Sequence, residues 1–398
     1  MSVATIFFIL LQLIFAIYIS LPTLLLLVYG FSKLFKFEPL TAREEKYIDK
    51  NFDFAIVITA HQEHAFIAPL VDSILKQTHK KFGIYIVADD CYIADLEFSD
   101  ERVKLLKPAT PLHSKIKSIE LAITSFRMGH DAILILDSDN LIHPSFLAVM
   151  NSYFRKGYKV VQADFKPKNI DTDFARMDAI GDMYNFFVER EARMYMGISS
   201  AIWGSGIVVD LALYKEVKYT NFLGGFDKKL QSYLVQRVRH IAFAPEAILY
   251  DEKISNGSSL ETQRTRWISS YFKYFGESWQ IFFNGLKKAN FNLVYFGFIT
   301  LRPPLFIVLG ICIFFTVINY FVSYSLFYVW LVLLFFFCLS FFLIVIIKAK
   351  NMSFVMTMLK LPLFMLRQVF ALLKLRNAKK EFLKTKHTKL LYIDDLLR

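Results

Sequence analysis

Apolar residues concentrate at the two ends of the chain and leave a polar middle. Residues 1–32 carry no charged side chain, and 4–31 is almost wholly apolar. At about 1.5 Å of helical rise per residue, this stretch is longer than the roughly 30 Å hydrocarbon core of a bilayer. It starts without a basic residue and runs directly into Lys33 and Lys36, whereas a signal peptide starts basic and has a shorter apolar core. We therefore expect a transmembrane anchor at 1–32.

The second apolar block, 303–347, contains no charged residue and is about twice the length of one crossing. The polar stretch 319–325 is expected to divide it into two helices, near 303–321 and 326–347. Basic residues flank all three predicted spans on one side only: Lys33, Lys36, Lys287, Lys288, Arg302, Lys348 and Lys350. Because basic flanks stay in the cytoplasm, this pattern places the N-terminus outside and residues 33–300 inside.

Two further segments are apolar but interrupted by charge. The stretch 352–373 contains Lys360, Pro362 and Arg367, so we expect an interfacial helix and a basic cytoplasmic tail over 352–398. The aromatic-rich stretch 269–300 is expected to lie in the interface in the same way. The net charge of +12 then belongs to a juxtamembrane belt on anionic membrane lipid, and no nucleic-acid partner is predicted.

The polar middle, 44–268, is long enough for one domain with a full core. Short, nearly continuous runs rich in β-branched residues predict strands at 54–60, 84–88, 132–136 and 158–163. Apolar residues at helical spacing predict helices at 65–78, 113–127 and 144–155. Strands that alternate with helices indicate an α/β fold built on a parallel sheet with both faces covered.

Acidic and polar side chains follow the predicted strands where each one ends. They are His61, Gln62 and Glu63, then Asp89 and Asp90, then Asp137, Ser138, Asp139 and Asn140, and finally Asp164. Ligands of parallel α/β sheets bind beyond the carboxyl ends of the strands. This edge of the sheet is therefore the predicted functional site.

The missing motifs narrow the chemistry. The chain has no phosphate-binding glycine-rich loop and no C-x-x-C, H-E-x-x-H or G-x-S-x-G motif. Its three cysteines, Cys91, Cys312 and Cys338, allow no disulfide framework. Carboxylates without clustered His or Cys suit Mg²⁺ or Mn²⁺, which binds through one or two carboxylates plus substrate phosphates. Asp137 and Asp139 form such a D-x-D pair, although a strand-end Asp can also simply cap a helix.

The order of these motifs resembles that of membrane-integrated family-two glycosyltransferases such as the cellulose, hyaluronan and poly-N-acetylglucosamine synthases. The matching segments are IVITAHQE (56–63), IVADDC (86–91), DSDN (137–140), GSG (204–206), GFDKKL (225–230) and QRTRW (263–267). The resemblance implies a GT-A catalytic domain over 44–268, and it covers about 50–390. It also implies a UDP-sugar as the donor and Mg²⁺ or Mn²⁺ as the cofactor.

The resemblance assigns a nucleotide-sugar site residue by residue. Glu63, together with Asp89 or Asp90, would hold the uracil and ribose, and Lys115 matches a lysine near the same nucleotide. Asp137 and Asp139 would hold the diphosphate, with Asp139 acting through the metal.

The resemblance also implies a catalytic base. The family pattern is Glu-Asp, with the Asp taking the proton from the acceptor hydroxyl. Alignment on the strand-like segment 241–247 puts this Asp at Asp227 and leaves Phe226 at the position of the Glu. Asp227 is thus the predicted base, and the alternative interpretation is a turn residue in GGFD.

The Q-x-x-R-W motif makes physical sense on a helix, because Gln263, Arg266 and Trp267 then share one face. Arg266 can bind a diphosphate bidentately, and Trp267 offers a flat surface for a sugar ring. An ordinary amphipathic helix is the alternative. In the GSG segment (Gly204, Ser205 and Gly206), the glycines would allow close approach of the acceptor, or simply form a turn.

Together these features predict an inverting, metal-dependent transferase in a bacterial inner membrane, with a growing polysaccharide as acceptor and an oligomer or polysaccharide-export partner to complete a channel. Two alternatives stay open. One is a single transfer to a lipid or lipid-linked acceptor, since some lipid transferases share Q-x-x-R-W. The other is a catalytically inactive membrane subunit of an export complex, which the Phe226 replacement would favour.

Overall fold

A computed structural model describes residues 3–220, 222, 224–349, 351–362, 364–365 and 388–397. The polar middle contains one eight-stranded sheet, with strands in the order β3-β2-β1-β4-β7-β6-β8-β5. The strands are β1 (Phe54–His61), β2 (Phe82–Asp89), β3 (Val103–Leu106), β4 (Ala132–Asp137), β5 (Leu141–Ile142), β6 (Val160–Pro167), β7 (Ile207–Asp210) and β8 (Ala242–Asp251).

Helices cover the sheet and continue into the apolar ends of the chain. They are α1 (Val3–Leu34), α2 (Ile67–Leu75), α3 (Lys115–Thr124), α4 (Phe146–Arg155), α5 (Asp173–Phe186), α6 (Ala192–Tyr195), α7 (Leu211–Lys215), α8 (Phe226–Leu234), α9 (Gly257–Lys273), α10 (Phe275–Lys287), α11 (Phe291–Thr300), α12 (Leu305–Val322), α13 (Tyr324–Ala349), α14 (Met352–Met358) and α15 (Ile393–Leu397). A π-helical turn, Phe187–Glu191, joins α5 to α6.

The four predicted strands and the three helices between them are confirmed, but the sheet is mixed rather than parallel. β1 pairs in parallel with β2 and β4, whereas β7 runs antiparallel to both β4 and β6. β7 has only four residues, so its apolar pattern is too short to stand out in the sequence. Because β7 reverses direction between them, β4 and β6 still point the same way, and their carboxyl ends meet at one edge.

Both faces of the sheet are buried, as the continuous apolar strands predicted. Along β1, Ile56 and Ile58 pack on one face, against α2 and α4. Ala55 and Val57 pack on the other face, which α3, α7, α8, α10 and α11 cover. The second face is therefore closed partly by helices that immediately precede the apolar C-terminal block.

Within the described part of the chain, three helices are long and apolar enough to cross a membrane: α1, α12 and α13. The predicted turn at 319–325 is shorter in the structure, where only Ser323 separates α12 from α13. Asn319 lies inside α12, fully buried, and its amide donates to Gln12 Oε1 at 2.7 Å. Trp330 Nε1 donates to the same oxygen at 2.7 Å, so one polar cluster joins all three helices.

The predicted interfacial segment 269–300 consists of the end of α9 and the antiparallel pair α10 and α11. Two glycines let this pair approach closely: a Cβ on Gly285 would lie 2.5 Å from the Val294 nitrogen, and one on Gly297 would lie 2.4 Å from the Phe282 nitrogen. Trp279 and Phe283 stack at 5.5 Å on the exposed side of α10.

The C-terminal region divides into two described parts. α14 contacts α5 at the start of the predicted helix 352–373, while residues 366–387 lie outside the described part, with the basic residues 374–386 among them. Residues 388–397 contact the polar domain: Glu252 accepts the Thr388 and Lys389 amides at 2.8 and 3.0 Å, and Lys76 pairs with Asp394 at 2.6 Å.

Candidate active site

A cavity of about 1200 Å³ opens at the carboxyl edge of β1 and β4 and continues towards the apolar helices. Most of the site residues predicted from the sequence line it: Glu63, Lys115, Asp137, Asp139, Gly204, Ser205, Asp227, Gln263, Arg266 and Trp267. Asp89, Asp90 and Gly206 are not part of the lining. The cavity thus brings together the ends of strands and the first turn of α8 with one face of α9.

The D-x-D segment forms a tight turn directly after β4. The Asp137 amide donates to Ser205 Oγ at 3.1 Å and to Asn140 Oδ1 at 3.0 Å, and Ser205 Oγ also donates to Asn140 Oδ1. Beneath the turn, the buried Lys168 ammonium donates to the Asp139 backbone carbonyl. These bonds fix the backbone, and the Asp137 and Asp139 carboxylates line the cavity.

Lys115, the first residue of α3, links the turn to the GSG segment. Its ammonium donates to Asp137 Oδ1 at 2.5 Å and to the Gly204 carbonyl at 2.7 Å. The same nitrogen lies 5.0 Å from the centre of the Phe226 ring. Phe226 therefore packs against Lys115, the lysine that holds Asp137.

Arg266 lies among the three acidic groups of the site. Burial lowers the pKa of its guanidinium, and the carboxylates of Asp137, Asp227 and Asp139 act in the opposite direction. An arginine stays charged despite such a shift. Since Arg266 and the three acidic residues line the same cavity, the D-x-D turn, the predicted base and the Q-x-x-R-W helix form one site.

Asp227 occupies the first turn of α8, which begins after a left-handed glycine. Gly225 has φ +68°, and a Cβ there would lie 2.4 Å from the Tyr274 ring. The Asp227 carboxylate also contributes, after burial and Glu277, to raising the pKa of Tyr274 to about 12. The turn is therefore built tightly against the start of α10, with Asp227 facing the cavity.

A cluster of aromatic rings and an arginine lies beside the Q-x-x-R-W motif and was not predicted from the sequence. The Trp203 and Trp267 rings meet edge to face at 5.4 Å, and the Arg264 guanidinium lies 4.1 Å from the centre of the Trp267 ring. Arg264 in turn donates to Asp178 at 2.7 Å. Trp203 directly precedes the GSG segment, which is the one signal in the sequence that could have indicated its role.

Asp89 supports the lining without forming part of it. Its carboxylate accepts the Leu112 and His113 amides at 2.6 and 2.9 Å and contacts His61 Nδ1 at 3.0 Å. His61 and His113 both line the cavity. The neighbouring Asp90 has φ +54° and accepts from Gln62 at 2.7 Å. Asp89 therefore positions two residues of the lining, and its contact with a nucleotide stays a prediction.

One further prediction requires correction. β6 does not end at Asp164 but continues to Pro167, and the Asp164 carboxylate pairs with Lys166 at 2.7 Å instead of lining the cavity. Gly206 has φ +61°, and a Cβ there would lie 2.9 Å from Leu249. Close packing inside the domain therefore requires this glycine, and its contact with an acceptor stays a prediction.

The donor set suits a hard divalent cation. Asp137 and Asp139 present carboxylates from one turn, with no Cys beside them in the described lining. His61, Asp89 and His113 form a second group of possible ligands, with ligand atoms within 4.8 Å of one another. Because the Asp89 carboxylate already accepts two backbone amides, the D-x-D turn fits Mg²⁺ or Mn²⁺ better.

The model of the family described as "Glycosyltransferase like family 2" matches residues 51–270, which is more than half of the chain. The chain belongs to glycosyltransferase family 2. The matched range includes every strand of the sheet and nearly all of α9, so the cavity's polar end lies within the family domain. No curated protein sequence matches the chain.

Solved structures similar to this family-two chain are glycosyltransferases. The mannosyltransferase PcManGT from Pyrobaculum calidifontis, in complex with GDP-Man and Mn²⁺, is 12% identical with a TM-score of 0.50, over 82% of this chain and 96% of that one. TarS 1–349 from S. aureus, in complex with UDP-GlcNAc, is 15% identical with a TM-score of 0.37, over 51% of this chain. The match spans 59% of that TarS chain. The likeness to PcManGT shows the GT-A fold.

Proposed function

We propose that this protein transfers a sugar from a UDP-sugar to a hydroxyl acceptor with inversion at the anomeric carbon. The observation that carries the proposal is the position of Arg266, which lines one cavity together with Asp137, Asp139 and Asp227. The cavity then offers a cation to bind the diphosphate leaving group and a carboxylate to accept the proton of the acceptor. The known fold of the family supports the same chemistry.

The proposed step is a single displacement. The acceptor oxygen forms a bond to the anomeric carbon while the bond from that carbon to the β-phosphate oxygen breaks. Asp227 takes the acceptor's proton, and the electron pair leaves with the nucleoside diphosphate. Because one displacement inverts the centre, no second nucleophile is required.

Several residues would stabilise the leaving diphosphate. Arg266 can bind it bidentately, and Lys115 stands beside the D-x-D turn as a second cation. Asp137 and Asp139 would hold Mg²⁺ or Mn²⁺, which neutralises charge on the diphosphate. Trp267, in edge contact with Trp203, would give a flat surface to the transferred sugar or its acceptor.

We assign the catalytic domain to the cytoplasmic side of a bacterial inner membrane, since the basic residues that flank the three apolar helices lie on the domain's side. UDP-sugars are cytoplasmic metabolites, so this orientation supplies the donor. An oligomer or an export partner would be required if the product were a polymer, because three helices are few for a channel.

Two classes of acceptor are supported, one by the family resemblance and one by the lining of the cavity. The resemblance to polysaccharide synthases indicates a growing glycan. The apolar lining of the cavity at its membrane end favours the second class, a lipid or lipid-linked acceptor.

The direct test is nucleotide release by the full, detergent-solubilised protein. A panel of UDP-sugars and GDP-mannose would be supplied with Mg²⁺ or Mn²⁺. Asp227→Asn is expected to lower kcat by about 10²- to 10⁴-fold while UDP still binds, and Asp139→Asn to lower metal-dependent UDP binding. Asp100→Asn, outside the cavity, serves as the matched control.

Equal nucleotide release by wild type and Asp227→Asn would remove that residue as the base. If UDP binds but no donor is turned over in the presence of membrane lipid and glycan acceptors, the inactive-subunit interpretation replaces the enzyme.

A further inference from the structure

The membrane end of the cavity is apolar throughout. α12 and α13 contribute aliphatic and aromatic side chains, together with Cys338; Leu309, Leu334, Phe337 and Phe341 are typical. A sugar chain in this part would leave its hydroxyls without partners, at roughly 1–3 kcal/mol for each buried group. A hydrocarbon chain would instead gain about 25 cal/mol per Å² of apolar area buried.

This part of the cavity also reaches the outer surface of the helices. Ile313 on α12 and Phe342 on α13 line the cavity, yet they are 55% and 41% exposed. Both helices belong to the three that are long and apolar enough to cross a membrane. Residues of the lining thus also face the outside of α12 and α13, where the acyl chains of a bilayer would lie.

Cationic and acidic side chains meet where the polar and apolar parts of the cavity join. Arg190, Arg302 and Lys228 line this waist together with Glu189 and Asp182. Arg302 donates to Glu189 at 2.6 Å, and Arg193 pairs with the same carboxylate from behind the lining. Although burial opposes it, these guanidiniums lower the pKa of Glu189. The Glu189 carboxylate is therefore charged and shared by two arginines.

Arg190 makes no ion pair among the described residues, although the carboxylates of Glu189, Asp182 and Asp164 act on its charge from a longer distance. Its side chain is only 2% exposed and lies on the π-helical turn, a feature frequent at functional sites. Its guanidinium packs 4.2 Å from the Phe186 ring and 4.9 Å from the Trp203 ring. Among the described residues it has no carboxylate partner, a single 3.5 Å bond to the Asn185 carbonyl, and an Nε without any partner. Burial lowers its pKa to about 10, so it is charged at neutral pH.

We propose that the acceptor is a membrane lipid whose headgroup carries both an anionic phosphate and a free hydroxyl. Its chains would lie between α12 and α13, its phosphate beside Arg190 at the waist, and its hydroxyl towards Asp227. The parts of the cavity follow the order of the parts of such a lipid. The apolar compartment that faces the bilayer would take the chains, the waist with Arg190 the phosphate, and the acidic site the hydroxyl. This inference rests on the proposed function and names its acceptor class.

Transfer to the lipid follows the same single displacement as the proposed reaction. The headgroup oxygen bonds to the anomeric carbon, the bond to the diphosphate breaks, and the hydroxyl proton passes to Asp227. The nucleoside diphosphate leaves with the electron pair, and the product is a glycosylated lipid that can return to the bilayer.

Photolabelling of the full protein in phosphatidylcholine nanodiscs tests the site. The probes are phosphatidylglycerol, which has the phosphate and the hydroxyls, and phosphatidylcholine, each with a photoactivatable acyl chain. We expect phosphatidylglycerol to label peptides of α12 and α13 severalfold more strongly than phosphatidylcholine. Arg190→Gln should remove that preference, and Arg190→Lys should restore part of it. Leu309→Trp, which fills the cavity, should abolish labelling of the lining peptides, whereas Val317→Trp on the exposed side of α12 should not.

Equal labelling by the two probes, or a preference that survives in Arg190→Gln, would overturn the inference. Nucleotide release measured on the same samples separates this failure from failure of the proposed function. Turnover that yields only a water-soluble polymer, without a lipid preference, would leave a transferase with a glycan acceptor. A lipid preference without any donor turnover would overturn the transferase and leave an anionic-lipid site.

Discussion

The Lys115 ammonium lies 5.0 Å from the centre of the Phe226 ring while it donates to Asp137 Oδ1 at 2.5 Å. Phe226 is buried and stands at the position where the family resemblance would place a Glu. An aromatic face attracts a cation without competing for its hydrogen bonds. Phe226 therefore leaves Lys115 committed to the D-x-D turn, whereas a Glu at this position would compete with Asp137 for the ammonium.

The ring of Phe226 should contribute to donor binding. Phe226→Leu removes the aromatic face, and we expect about 1 kcal/mol weaker UDP-sugar binding, roughly a fivefold rise in Kd. Phe226→Tyr retains the face and should bind within about twofold of wild type. Isothermal titration of the detergent-solubilised protein measures both values, and equal affinity of the Leu and Tyr variants would contradict the role of the ring.

Ser205 should hold the D-x-D turn in place. Ser205→Ala removes one of the two acceptors of the Asp137 amide and the donor to Asn140 in a fully buried position. Losing a buried hydrogen bond costs about 1–3 kcal/mol, so the variant should have a lower Tm and weaker metal-dependent UDP binding. Ser138→Ala, in the same turn, is the control for Tm, since the structure records no comparable side-chain bond for Ser138 among the described residues.

Gly206 should be needed for stability. Gly206→Ala places a Cβ 2.9 Å from Leu249 at φ +61°, and the expected cost is about 1–3 kcal/mol of unfolding free energy. At Gly204, a Cβ would have no neighbour closer than Phe226 at 3.9 Å, so Gly204→Ala should unfold near the wild-type temperature. Thermal unfolding of both variants measures the difference, and equal Tm values would show that the loop relaxes around the new methyl group.

Gln12 should contribute to packing of the apolar helices. Gln12→Leu removes the oxygen that accepts from Asn319 and Trp330. The Asn319 amide keeps its bond to the Phe315 carbonyl at 2.7 Å, whereas Trp330 Nε1 loses its acceptor among the described residues. Polar contacts between membrane helices contribute about 0.6–2 kcal/mol, so Tm in detergent should fall. Leu10→Ala, on the exposed face of the same helix, should change Tm little. A wild-type Tm for Gln12→Leu would mean that the donors find other acceptors.

Acid should weaken the ion pair between Asp100 and Arg102 in the loop before β3. The Arg102 guanidinium beside Asp100 holds the pKa of that carboxyl down to about 2, from 3.8. Because this pKa is depressed in the folded state, the pair stabilises the protein above pH 3.8, and that stabilisation is lost as pH falls to about 2. For a pair on the surface the effect is at most about 1 kcal/mol. The Tm difference between wild type and Asp100→Asn should therefore shrink on acidification, and a constant difference would contradict the assignment.

The sequence by itself determined the features that depend on short stretches of chain. Continuous apolar runs gave the buried strands β1, β2 and β4, because a strand covered on both faces needs no polar alternation. Long uncharged stretches likewise predicted the three apolar helices, and helical spacing put Gln263, Arg266 and Trp267 on one face. The order of the motifs carried the family resemblance.

Only the tertiary structure decided the relationships between distant segments. The reversed strand β7, the contact of Phe226 with Lys115, and the pairing of Arg264 with Asp178 join residues that no local pattern connects. The same holds for Arg190, which looks like any other arginine in the sequence, until packing against Phe186 and Trp203 buries it at the waist of the cavity. Local patterns report on burial and secondary structure, whereas the neighbours of a side chain depend on how the whole chain folds.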